Sequence, residues 1–275
     1  MSRLLIVSND INPTLNEIDV SIYRTKLKKR DIDVSNIEKL IPTINNEWSI
    51  SEICKNAIPI TWESTFEYAE AELDKISKIL ERTENKSFYP LKYNLFRALH
   101  LTKLSDVRVV IIGQDPYHTT TSYGEPIAQG LSFSVEKGLS IPPSLANIYK
   151  EIKENYPDFE IPNHGDLSKW SLQGVLMLNS CLTVLPGQPD SHSKFQLWMP
   201  FIVKVLEKIA EVRPDCIFCL WGKKSQELER YLGKKSIKLM SAHPSFYSAK
   251  NFFGNRHFIQ INNILLDKGE EPIEW

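Results

Sequence analysis

Six consecutive residues, Gly113-Gln114-Asp115-Pro116-Tyr117-His118, gather an amide, a carboxylate, a phenol and an imidazole in one short turn. A carboxylate in such company can position a water and steady a developing positive charge, as carboxylates do in glycoside hydrolysis. Gly113 lets the backbone turn sharply, and Pro116 fixes its own φ and biases Asp115 away from helical geometry, so the loop should be stiff. The plainer alternative is a surface loop whose Asp caps the next element. What separates the two readings is the kind of element that leads into the turn.

That element is Val107-Arg108-Val109-Val110-Ile111-Ile112, β-branched apart from Arg108, which reads as a short strand buried on both faces. Three other apolar runs end the same way. Gly174–Leu178 delivers Asn179, Asp215–Trp221 delivers Gly222 through Ser225, and Ser236–Met240 delivers Ser241-Ala242-His243-Pro244-Ser245. In open α/β sheets the carboxyl ends of the strands are where ligands bind, so four strands that each place small or polar residues past their ends describe one site.

Helical patterns alternate with these runs. Phe66, Ala69, Leu73, Ile76 and Ile79-Leu80 recur at three- and four-residue spacing and predict one amphipathic helix over 63–82. Leu95-Phe96 and Leu99 suggest a short helix ahead of the first strand. Ser144 reads as the N-cap of a helix that stops before Pro157, Pro200 to Val212 as another, and Ser225 to Leu232 as a third closed by Gly233. The expected fold is α/β: a central parallel four-stranded sheet flanked by helices in three layers. Residues 1–55 are expected to be an N-terminal extension of unknown role and 56–275 the catalytic domain. The extension carries a strand-like Leu4–Val7 and a basic run, Lys26 to Arg30.

Composition narrows the class. Of 275 residues, 42% are hydrophobic and 24% charged, as in an ordinary globular protein. No apolar run approaches the roughly 20 residues that span a membrane. The first eight residues are too short and too soon polar for a signal peptide, so the expected location is intracellular, cytoplasm or nucleus. Cys216 and Cys219 have metal-ligand spacing, but they sit in a predicted buried strand without a second pair, so they are read as buried thiols and no metal is expected. The net charge is −1, yet residues 204–256 hold eleven lysines and arginines against five acids. A basic segment beside the site suits brief contact with a phosphate backbone.

Gly113–His118 and His243-Pro244-Ser245 resemble the water-activating loop and the DNA-intercalation loop of family 1 uracil-DNA glycosylases. Between them, in the family's order, lie Gly130-Leu131-Ser132-Phe133-Ser134-Val135, Ile141-Pro142-Pro143-Ser144 and Leu176-Met177-Leu178-Asn179-Ser180. The resemblance runs from about Trp62 to the C-terminus. It implies hydrolysis of the bond between deoxyribose and uracil on a nucleotide flipped out of DNA, with no cofactor. Asp115 would position the water and stabilise the cation, and His243 would donate, as a neutral imidazole, to uracil O2. Asn179 carries both the donor and the acceptor that uracil N3–H and O4 require. Phe133 would stack on the base, Tyr117 would collide with a thymine methyl, and Gln114 would offer backbone contacts. His118, Pro142, Ser144, Gly222, Ser225 and Ser245 would lie along the DNA backbone. The implied partner is uracil-containing single- and double-stranded DNA, acted on by a monomer; a protein inhibitor or replication partner is left open.

Two features depart from the family pattern. Eleven residues, Thr119 to Gln129, separate His118 from Gly130, a longer connection than usual that suggests a polar flap. Where the family commonly reads His-Pro-Ser-Pro-Leu-Ser, this chain reads His243-Pro244-Ser245-Phe246-Tyr247-Ser248. Phe246 or Tyr247 would then be the wedge that fills the place of the flipped base. Two other functions compete: a DNA-binding scaffold or replication accessory of the same fold, and a hydrolase that uses Asp115, His118 and His243 as metal ligands.

Overall fold

The computed structural model describes residue 32 and residues 34–45, 47–82 and 87–275. The strand-like Leu4–Val7 and the basic run at 26–30 lie outside the described residues. The elements that matter here are α1 (Ile50–Asn56), α2 (Glu63–Tyr68), α3 (Glu70–Arg82), β1 (Val109–Gly113), α4 (Pro143–Asn155), β2 (Val175–Asn179), α5 (Met199–Val212), β3 (Ile217–Trp221), α6 (Lys223–Gln226), β4 (Ile237–Ser241) and α7 (His257–Asp267).

Every residue of β1, β2 and β3 is buried, as continuous apolar runs in a covered parallel sheet must be. β4 is only partly buried, which fits its place at the sheet edge. All pairings are parallel and the order is β2-β1-β3-β4. The chain therefore steps one way from β1 to β2 and the other way from β3 to β4. Right-handed crossovers then place α4 and α5 on opposite faces and complete the three layers. Each face has its own aromatic core. Phe66, Phe96, Trp198 and Phe201 meet edge to face around α2 and α5. Beside α7, Trp275 meets Trp170 and Phe258 edge to face, while Trp170 and Phe258 are tilted, with centroids 4.9–6.4 Å apart. The topological switch falls between β1 and β3, so the loops after these two strands flank the crevice.

Local details differ from expectation in ways with physical causes. The helix expected over 63–82 is two helices that break at Ala69 (φ −105°, ψ 11°). The Ala69 N–H is shared between the Thr65 and Phe66 carbonyls as the axis turns. Ser144 is not the N-cap of α4. Pro142 holds that position and Pro143 opens the helix, because a proline already has helical φ and lacks the N–H that would be unpaired there. The helix expected over 225–232 is the single turn α6 followed by a 3-10 segment, Glu227–Tyr231. Upstream, α1 starts with a full capping box between Ser49 and Glu52 and buries Ile50 and Ile53 in the main core. Packing is thus continuous across residue 55. No helix among the described residues is long and apolar enough to cross a membrane.

Candidate active site

The site begins where β1 and β2 end side by side, with Gly113 paired to Asn179. A Cβ on Gly113 would stand 2.2 Å from Asn179 Oδ1 and 2.9 Å from the Ser132 side chain. Glycine is therefore required for the Asn179 amide, 8% exposed, to lie across the end of β1. The Gln114 carbonyl accepts from the Cys181 N–H and the Ser180 hydroxyl, which ties the loop after β1 to the turn after β2.

Asp115 follows. Its Oδ2 accepts from the backbone N–H of Asp190 (3.0 Å) and from Ser193 Oγ (3.1 Å). Its Oδ1 is buried and has no hydrogen-bond partner among the described residues. Burial, with the Asp190 carboxylate close by, raises the Asp115 pKa, and the Ser193 hydrogen bond works against the rise. His118 Nδ1 is also buried without a partner among the described residues, and the His118 carbonyl accepts from Gly187.

Tyr117 Oη donates to the Phe133 carbonyl at 3.0 Å, and burial pushes this phenol up. Phe133 does not lie in a strand. It occupies a turn at φ 62°, a conformation uncommon for a bulky residue, held by Tyr117 and by Ser132, whose N–H bonds the Met177 carbonyl. The ring lies 5.8 Å from the His243 ring and 5.9 Å from Trp221, at the end of β3.

His243 comes from the loop after β4. Its Nδ1 accepts the Ser245 N–H at 3.0 Å, and burial lowers its pKa. The neutral ring therefore carries its proton on Nε2, which is left to donate. Gly222, at φ 92°, brings the β3 loop under this residue, where a Cβ would meet His243 Cβ at 2.9 Å. Ser248 Oγ donates to the His243 carbonyl, and Asn147 of α4 donates to the Pro244 carbonyl, so two elements brace the loop.

The expected site residues are thus gathered by four loops at one end of the sheet, with refinements. Ser225 is buried and its hydroxyl donates to the Gly222 carbonyl, so it closes the turn under His243 rather than presenting an outward hydroxyl. Pro142 and Ser144 sit at the start of α4, partly exposed. Phe246 and Tyr247 are 81% and 97% exposed, with ring centroids 5.8 Å apart at the tip of their loop. The segment after His118 is a compact hairpin. Thr121 and Glu125 bond across it, Thr120 bridges Pro126, and Tyr123 stands exposed at its tip. In the basic segment, Lys208 and Lys238 pair with acids already in the charge count, while Arg213 and Lys224 pair with Glu270 and Asp190 from outside it, which weakens the expected field. Burial drives the Cys216 and Cys219 thiols upward, Cys216 to about 12. Asp190, Ser193, Trp221 and Asn147 were not predicted as site residues.

A family model described as the uracil DNA glycosylase superfamily matches residues 100–266. The chain is 43% identical over 224 residues to the uracil-DNA glycosylase of Proteus mirabilis, covering 79% of this chain and 96% of that protein. It is 44% identical over 197 residues to the uracil-DNA glycosylase of Escherichia coli, covering 71% and 83%. The crystal structure of mimivirus uracil-DNA glycosylase superposes with a TM-score of 0.75 at 28% identity, over 87% of this chain and 98% of that one. A tyrosine-to-leucine variant of mimivirus UNG, solved in complex with UGI, gives 0.73 at 29% identity, over 86% and 99%. Fold and site together define an α/β/α glycosylase. The chain belongs to the uracil-DNA glycosylase superfamily.

Proposed function

We propose that this chain flips uracil out of DNA and hydrolyses its N-glycosidic bond, leaving an abasic site and starting base-excision repair. The observation that carries the reading is the His243 tautomer. With Nδ1 occupied by the Ser245 N–H, the buried neutral ring offers Nε2–H beside the Phe133 ring, where a stacked base would present its O2. Charge accumulates on that oxygen as the bond breaks, so a fixed donor gains value in the transition state. Asp115 faces the opposite charge. Its Oδ2 is held by three protein donors, and Oδ1 remains to hold the water and to stabilise the oxocarbenium-like sugar. Asn179 reads N3–H and O4, Tyr117 excludes the thymine methyl, and Gln114 borders the base. His118, Pro142, Ser144, Gly222, Ser225 and Ser245 form or shape the rim along the DNA backbone.

Family membership and a full set of Asp115, Asn179 and His243 favour this enzyme over a scaffold of the same fold. The expected substrate is uracil in both single- and double-stranded DNA, handled by a monomer inside the cell. The relative bound to UGI supports a protein ligand for this chain as well. The test is release of free base from matched oligonucleotides containing uracil, cytosine or thymine, with chelator present. Release from the uracil strand alone is expected. Loss of activity in chelator, restored by a divalent metal, would favour metal ligation by Asp115, His118 and His243.

The exposed pair Phe246 and Tyr247 gives a further prediction. Holding duplex DNA open after a base leaves the stack needs an apolar wedge, whereas a single strand has no stack to hold. Replacing both residues with Ala should lower excision from duplex about 10- to 100-fold, the scale of one or two lost stacking contacts of roughly 1–3 kcal/mol. Excision from single strands should fall far less. Parallel initial-rate assays on the two substrates check this, and equal losses would rule out the wedge.

A further inference from the structure

Residues 187–196 reach the site from the connection between β2 and α5. Asp190 adopts φ 61°, and in this left-handed conformation its N–H meets Asp115 Oδ2. Ser193 Oγ meets the same oxygen. The Asp190 carboxylate accepts from Gln114 Nε2 and from Lys224 Nζ (2.9 Å), so the turn also joins the loops after β1 and β3.

We propose that Ser193 and Asp190 are positioning residues that fix the orientation and ionisation of Asp115, with Lys224 anchoring Asp190. The proposal rests on the reading of Asp115 as the water-positioning carboxylate. The Asp190 N–H and the Ser193 hydroxyl on Oδ2, with Gln114 Nε2 at 3.4 Å, stop the carboxylate from rotating and reserve Oδ1, buried and unpartnered among the described residues, for the reaction. The two residues act on the charge of Asp115 in opposite senses. Ser193 donates to the ionised form and favours it. The Asp190 carboxylate is a like charge, kept ionised by Lys224, and disfavours it. The other groups facing Asp115 are Gln114 on its own loop and Cys181 after β2, whose thiol is pushed up by burial.

This opposition separates positioning from general structural support. Asp115 can be followed directly by carboxyl-carbon NMR of the protein with labelled aspartates, its signal assigned by its disappearance in Asp115→Asn. Ser193→Ala should move the Asp115 titration to higher pH, and Asp190→Asn, which keeps the backbone donor, should move it to lower pH. Single-turnover excision by Ser193→Ala should fall about tenfold at neutral pH, with binding of uracil-containing DNA unchanged. Ser193→Thr, which restores the hydroxyl, should recover most of the rate. If the wild type releases uracil but both variants titrate as it does, or shift in the same direction, the proposal is overturned. If the titrations separate as stated while the wild type releases no uracil, the bracket around Asp115 stands and the proposed function falls.

Discussion

Replacing His243 with Leu lowers single-turnover release of uracil by about two to three decades, the loss expected when one preorganised donor worth about 2.7–4 kcal/mol is removed. The effect is large because the donor is buried and already oriented, so it needs no reorganisation as charge reaches uracil O2. Binding of uracil-containing DNA changes much less, since a neutral carbonyl in the ground state gains little from the same hydrogen bond. The pH dependence follows with a definite sign. Burial lowers the His243 pKa, so the neutral donor persists as the pH falls below the usual imidazole range. Burial raises the Asp115 pKa, so activity that needs its carboxylate is complete above that raised value and is lost as the pH falls through it. The Asp115 contribution to the acid limb of the rate profile should therefore lie above the ordinary range of an aspartate. Rate–pH profiles of wild type and His243→Leu check this: the limb should remain in the variant.

Asn179→Asp is the second large effect. The amide lies across the end of β1 with its Oδ1 against Gly113, so the base-facing pattern of the side chain is fixed by packing. A carboxylate there offers no N–H and places negative charge near uracil O4, leaving polar groups opposed in a buried site. A site built around a substrate's hydrogen bonds rejects a mismatch by orders of magnitude, and uracil release should fall by about two decades or more. Cytosine presents an amino group at the same position, for which a carboxylate is an acceptor, so the ratio of uracil to cytosine release should drop. Single-turnover assays on oligonucleotides that differ only in that base give the ratio directly. An unchanged ratio would remove Asn179 from base selection.

What could be read beforehand depended on how each residue is carried. Asp115, Asn179 and His243 each stand at or just past the end of a sheet strand, and short apolar runs followed by small or polar residues are visible without coordinates. Strand limits came within a residue or two for the same reason. Helix ends were less legible because they are settled by competing local donors. Pro143 displaces Ser144 from the cap, and Ala69 divides one amphipathic pattern into two helices. Asp190 and Ser193 gave no signal. They sit in a turn that follows no strand of the sheet, and Asp190 reaches Asp115 through a backbone N–H that every residue but proline has. The charge count over 204–256 overstated the basic field because two of those cations pair with acids brought from elsewhere, Arg213 with Glu270 and Lys224 with Asp190.

The central claim is that Asp115 positions the water and stabilises the cation in uracil excision. It is tested by single-turnover release of uracil from one uracil-containing oligonucleotide in chelator, with wild type beside Asp115→Asn. The account predicts release by the wild type and a rate about two decades or more lower in the variant, the scale of a lost general base, with binding of the oligonucleotide retained. Equal rates for the two proteins, or a wild type that binds the oligonucleotide and releases nothing, would contradict it.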